Sequence, residues 1–62
     1  MKKLYIDKTE SLYLVHTIDY SIAIWCTTYR IQNISSNKKY VSMNFGDNYL
    51  GTIDCEEIQE EF

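Results

Sequence analysis

Apolar and polar residues alternate along most of this chain, and the alternation changes phase several times. Lys3 to Asp7 reads as a short strand, with Leu4 and Ile6 on one side and Tyr5 on the other. Asp7-Lys8-Thr9-Glu10-Ser11 is polar and turn-like. From Leu12 to Ile18 the alternation resumes, with Leu12, Leu14, His16 and Ile18 on one face and Tyr13, Val15 and Thr17 on the other. Both sets are fairly apolar, which predicts a strand with some cover on each side. Asp19-Tyr20-Ser21 is the least distinct turn; it lacks glycine, and a bend or bulge would serve equally well.

Ser21 to Ile34 (SIAIWCTTYRIQNI) is the stretch around which the chain is organised. Ile22, Trp25, Cys26 and Tyr29 fall at helical spacing. Against a helix stand the β-branched Ile22, Ile24, Thr27, Thr28 and Ile31, together with Trp25 and Tyr29, which also favour strands. The composition therefore predicts one long central strand. Ile22, Ile24, Cys26 and Thr28 would share one face, opposite Ala23, Trp25, Thr27, Tyr29 and Ile31.

Asn33 to Lys39 is a polar loop. Tyr40 to Phe45 alternates cleanly, with Val41, Met43 and Phe45 expected inward. Gly46-Asp47-Asn48 then reverses the chain, Gly46 suiting the first central position of a type II′ turn. Tyr49 to Ile53 returns as a strand and completes a hairpin. Beyond it, Asp54-x-x-Glu57 has capping-box spacing, and Cys55, Ile58 and Phe62 form one narrow apolar stripe. That pattern predicts a short C-terminal helix, too short to hold in water unless docked. The fold class expected is mainly β: a small curved antiparallel sheet or half-barrel of about five short strands, with this helix over one side. A flat sheet would leave Trp25, Ile31 and Phe45 uncovered, so closure or a second subunit in a homodimer is expected.

Composition narrows the picture. Sixty-two residues make a single small domain, 45% of them hydrophobic and 15% aromatic, as in folded chains. A chain of this size buries only about 60% of its unfolded surface, and such domains commonly need a disulfide, a metal or a partner. No run approaches the roughly eighteen apolar residues of a membrane span, and the apolar run after the first two lysines ends at Asp7, unlike a signal peptide. Cys26 and Cys55 are expected as free thiols in a cytoplasmic setting. The net charge of −3 is unevenly spread: six Lys/Arg and four Asp/Glu precede Asp54, while Asp54, Glu56, Glu57, Glu60 and Glu61 follow without a base.

Candidate chemistry is sparse. Cys26 and His16 are the best nucleophile–base pair available, but each alternates with aliphatic residues and reads as sheet packing. A core this small also leaves little room for a substrate pocket of about 300 Å³. No enzyme activity is expected. Two cysteines and one histidine lack zinc-site spacing, EEIQEE lacks the glycine and alternating ligands of a calcium loop, and phosphate-binding glycine loops are absent, so neither metal nor cofactor is expected. Six tyrosines could form a nucleic-acid stacking platform, but the bases are scattered, with only Lys2-Lys3 and Lys38-Lys39 adjacent.

What remains is a protein-binding module, a small inhibitor or adaptor. Its expected contact residues are Asp54, Glu56, Glu57, Glu60 and Glu61, joined by Tyr29, Tyr40 and Tyr49 as interface anchors. Clustered carboxylates would suit a basic surface on a larger protein, such as a nucleic-acid enzyme, though they also fit a solvated face or an internal tie. Richness in Lys, Asn, Ile and Tyr would fit a phage or mobile-element origin. A nucleic-acid-binding small barrel and a self-assembling structural subunit are the alternatives.

Overall fold

The computed structural model describes residues 3–62, so Lys2 lies outside the described residues. Two sheets pack face to face. The first begins as a meander of β1 (Lys3–Lys8), β2 (Tyr13–His16) and β3 (Ala23–Cys26). The chain then crosses to a second, antiparallel sheet of β4 (Thr28–Ser35), β5 (Lys38–Phe45) and β6 (Asn48–Cys55). Finally β7 (Glu57–Glu60) returns to the first sheet and pairs parallel with β1, giving the order β3-β2-β1-β7. Among the described residues there is no helix, and the sheets do not close into a barrel.

The core lies between the sheets. Leu4, Ile6, Val15 and Cys26 enter it from the first sheet, and Val41, Met43 and Cys55 from the second. Tyr13, Ile24, Tyr29, Ile31, Ile53 and Ile58 pack around them, half-buried. Each fully buried aliphatic side chain stabilises the fold by about 1.5–3 kcal/mol. Val15 sits opposite Ile6, so the inward face of β2 carries Tyr13 and Val15, whereas Leu14 and His16 face away from the core.

Both crossings between sheets are one-residue corners. Cys26 ends β3 facing the core, Thr27 bends, and the next inward residue is Tyr29. The Thr27 amide donates to the Asn44 carbonyl at 2.9 Å, and its hydroxyl donates to the same carbonyl at 3.2 Å while accepting from the Gly46 amide at 2.8 Å. The second corner repeats the pattern: Cys55 is buried, Glu56 bends, and Ile58 is the next inward residue. A buried cysteine ends the incoming strand each time, a small apolar side chain where the two sheets converge.

These corners correct several expectations. Ser21 to Ile34 is not one strand but two, β3 and β4, in different sheets, and the inward set switches parity at Thr27. The described residues form seven strands in place of about five, and the C-terminal segment expected as a helix is the parallel strand β7. The physical reason is that β1 would otherwise be an open edge. As a strand, the segment bonds its backbone to β1, the Glu61 amide reaches the Ile6 carbonyl at 2.8 Å, and Ile58 turns inward. A lone helix would have satisfied fewer polar groups for one apolar stripe.

Three smaller differences follow. The loop expected over Asn33 to Lys39 shrinks to a Ser36-Asn37 turn, with a bulge near Ile34. Phe45, expected inward, is 45% exposed, beyond the point where the β5–β6 ladder slips by one residue after Met43. Trp25 also stays largely exposed, opposite Leu14 on the outer face. The Gly46-Asp47 turn keeps the expected form, with Gly46 at φ 61° and Asp47 outside the left-handed region.

Candidate functional site

The acidic end does not make one carboxylate patch. Alternation along β7 sends Glu57, Gln59 and Glu61 to the outer face of the first sheet, and Ile58 and Glu60 to the other. Asp54 is exposed on the outer face of the second sheet, opposite Tyr40, and Glu56 is exposed at the corner. Lys39 Nζ donates to the Glu56 carbonyl at 3.0 Å and braces that corner. An open cleft of about 360 Å³ beside it is lined by Asn37, Lys38, Asp54, Cys55 and Glu56.

The three tyrosines expected at an interface lie apart. Tyr29 is half-buried between the sheets, its hydroxyl donates to Glu60, and its ring meets Tyr13 edge-on. Burial pushes the Tyr29 phenol above its ordinary range, and the hydrogen bond to Glu60 adds to the effect. Tyr40 is half-buried on the second sheet. Tyr49 is 64% exposed near the β5–β6 turn, its hydroxyl hydrogen-bonded to Thr52.

A second constellation is assembled by pairing across strands. The register sets Tyr5 opposite His16, and Asp7 opposite Leu14, on the outer face of the first sheet. His16 is nonetheless only 4% exposed. Its ring lies parallel to that of Tyr20 at 4.2 Å between centroids, and to that of Tyr5 at 5.6 Å. His16 Nδ1 donates to the Thr17 carbonyl at 2.8 Å, and Nε2 stands 2.9 Å from Asp7 Oδ2. Glu61, the residue after β7, completes the group: one donor atom from each of Asp7, His16 and Glu61 lies within 4.8 Å of the others. A cleft of about 210 Å³ opens beside it, lined by Tyr5, His16, Ile18, Tyr20 and Glu61.

The loop that carries Tyr20 over His16 is held by its own polar residues. The Thr17 amide donates to the Ile22 carbonyl, and the Tyr20 amide to the Thr17 carbonyl. Asp19 accepts from the Ser21 amide and the Thr17 hydroxyl. The Ser21 amide, followed by the Ser21 and Thr17 hydroxyls, holds the Asp19 carboxyl below its usual range. Tyr20 has φ 59°, a left-handed conformation that is costly for a bulky side chain. Stacking on His16 gives that conformation a compensating contact.

Cys26 and Cys55 are both buried free thiols, and burial pushes each thiol up. Cys26 faces the core and His16 the opposite side of the same sheet, so they do not form a nucleophile–base pair. Sequence reasoning singled out neither Asp7 nor Tyr20 and read His16 as packing. Nothing in the spacing of Asp7, His16 and Glu61 signals their meeting, which depends on the hairpin register and on the parallel return of β7. Comparison of the chain with protein-family models, curated proteins and solved structures finds no match.

Proposed function

We propose that the chain is a non-enzymatic protein-binding module, a small inhibitor or adaptor, whose acidic edge strand β7 meets a basic segment of a larger protein. One observation carries this reading: β7 is an edge strand of its sheet, and Glu56, Glu57, Glu60 and Glu61 lie in a segment, residues 54–62, that contains no base. An edge strand offers unpaired N–H and C=O groups to a further strand. A second copy of β7 is a poor occupant, because pairing would set glutamates against glutamates. A strand rich in Lys or Arg meets no such repulsion, and the concentrated charge speeds its encounter. Proteins that handle nucleic acids carry such basic surfaces, and carboxylates can stand there in place of phosphates. Free thiols at Cys26 and Cys55 are in keeping with a reducing, cytoplasmic setting.

The tyrosine-based alternative, direct nucleic-acid binding, gains no support from the surface. Tyr5, Tyr13, Tyr29 and Tyr40 are half-buried, while the exposed Tyr20 lies in the β2–β3 loop and the exposed Tyr49 on β6 of the second sheet. The test is an NMR titration of the labelled chain with a short Lys/Arg-rich extended peptide, set beside single-stranded DNA. Shifts centred on residues 56–61, weakened by salt and lost in the Glu56→Lys, Glu57→Lys double variant, are expected. Shifts centred elsewhere, or binding to DNA in preference to the peptide, would contradict the proposal.

A further inference from the structure

His16 is held so that only one of its nitrogens is available. A carbonyl can only accept, so the Thr17 contact fixes the proton on Nδ1 and directs Nε2 at the Asp7 carboxylate. An imidazole lone pair and a carboxylate lone pair 2.9 Å apart need a cation between them, and either a proton or a metal ion satisfies them. The Glu61 carboxylate, with an oxygen within 4.8 Å of both, brings a second negative group to the same side of the imidazole. We propose that Asp7, His16 and Glu61 form a binding site for one divalent transition-metal ion of the zinc type, which staples β7 to β1 and β2.

The donor set selects the class of ion. One imidazole nitrogen with two carboxylate oxygens suits Zn²⁺ and its neighbours, whereas Ca²⁺ and Mg²⁺ prefer all-oxygen shells. The distances fit as well. Ligands on a tetrahedral zinc, each at about 2.0–2.1 Å, stand roughly 3.3 Å apart. Asp7 and His16 would open slightly from 2.9 Å, and the exposed Glu61 side chain would swing in from at most 4.8 Å. A backbone carbonyl on the far nitrogen is the usual second-layer partner of a metal-bound histidine. The stacked ring of Tyr20 fixes the imidazole plane. The adjoining cleft leaves a fourth position for water or a small anion.

The three ligands come from β1, β2 and the residue after β7. Because β7 has only four residues and pairs with one strand, an ion there would secure a short edge element of the first sheet. A small domain with no disulfide among its two cysteines is the kind that gains from such a staple.

The test uses the full chain after chelation and dialysis, with Zn²⁺ as probe in calorimetry and thermal melts, and Co²⁺ as a spectroscopic reporter. One Zn²⁺ per chain, a raised melting temperature, and visible Co²⁺ bands without thiolate charge transfer are expected. Glu61→Gln, a change at an exposed side chain with its fold checked by NMR, should weaken Zn²⁺ binding about tenfold or more. His16→Gln should abolish it. Glu57→Gln, on the same outer face at the other end of β7, should leave it unchanged. No binding at one ion per chain would overturn the proposal, as would equal binding by wild type and Glu61→Gln. Thiolate-to-cobalt bands, or binding without a shift in melting temperature, would overturn the site or its stapling role respectively.

Discussion

The corner at Thr27 is probed by comparing two substitutions that separate shape from hydrogen bonding. Thr27→Val keeps the branched shape but removes a hydroxyl that accepts from the Gly46 amide at 2.8 Å and donates to the Asn44 carbonyl at 3.2 Å. A net hydrogen bond contributes about 0.5–1.5 kcal/mol. The Asn44 carbonyl keeps its bond from the Thr27 amide, and the exposed Gly46 amide can turn to water. The loss therefore falls near the lower end for two bonds, about 1–1.5 kcal/mol. In a domain of this size that corresponds to roughly 4–12 °C in melting temperature. Thr27→Ser keeps the hydroxyl and loses a half-buried methyl, costing less than about 0.8 kcal/mol. Valine favours strands more than serine does, so in an ordinary strand the order would be reversed. Thermal and urea unfolding followed by circular dichroism should rank wild type above Ser and Ser above Val. A Val variant as stable as the Ser variant would refute the clamp.

Met43→Ala, which empties a fully buried position in the middle of β5, should cost about 2–5 kcal/mol, read from urea unfolding. That is a large part of the few kcal/mol expected of a 62-residue domain. In an alkaline absorbance titration one tyrosine should ionise after the others, and Tyr29→Phe should remove that late step. Because the folded-state phenol is raised, its contribution to stability is complete below pH 10 and declines as pH climbs above it. Both thiols should resist a water-soluble disulfide reagent in the native state and react together in urea; fast labelling of either without denaturant would contradict their burial at the corners.

Strands with clean alternation were legible from the sequence. Leu4, Ile6, Val41 and Met43 are buried as their period-two pattern requires, and Gly46 turns as its freedom of φ allows. What misled was the spacing across the corners. Cys55 and Ile58 face the core three residues apart, as do Cys26 and Tyr29. A helix gives that spacing, and so does a strand pair joined by a one-residue bend, because the bend shifts alternation by one. Parallel pairing of β7 with β1 is a contact between chain ends, and no local pattern encodes it. The group of Asp7, His16 and Glu61 was hidden for the same reason. His16 alternates with aliphatic residues, and only the register of β2 on β1 shows that it is buried on the outer face, beneath Tyr20.

The acidic end as an edge strand, rather than a helix, underlies both the proposed binding mode and the metal site. Amide exchange and cross-strand nuclear Overhauser effects in the assigned chain test it most directly. Slow exchange at the Glu61 amide, which bonds the Ile6 carbonyl, and parallel cross-strand contacts between Leu4 and Ile58 are expected. Sequential amide–amide contacts through residues 56–61 with a rapidly exchanging Glu61 would indicate a helix or coil and contradict it.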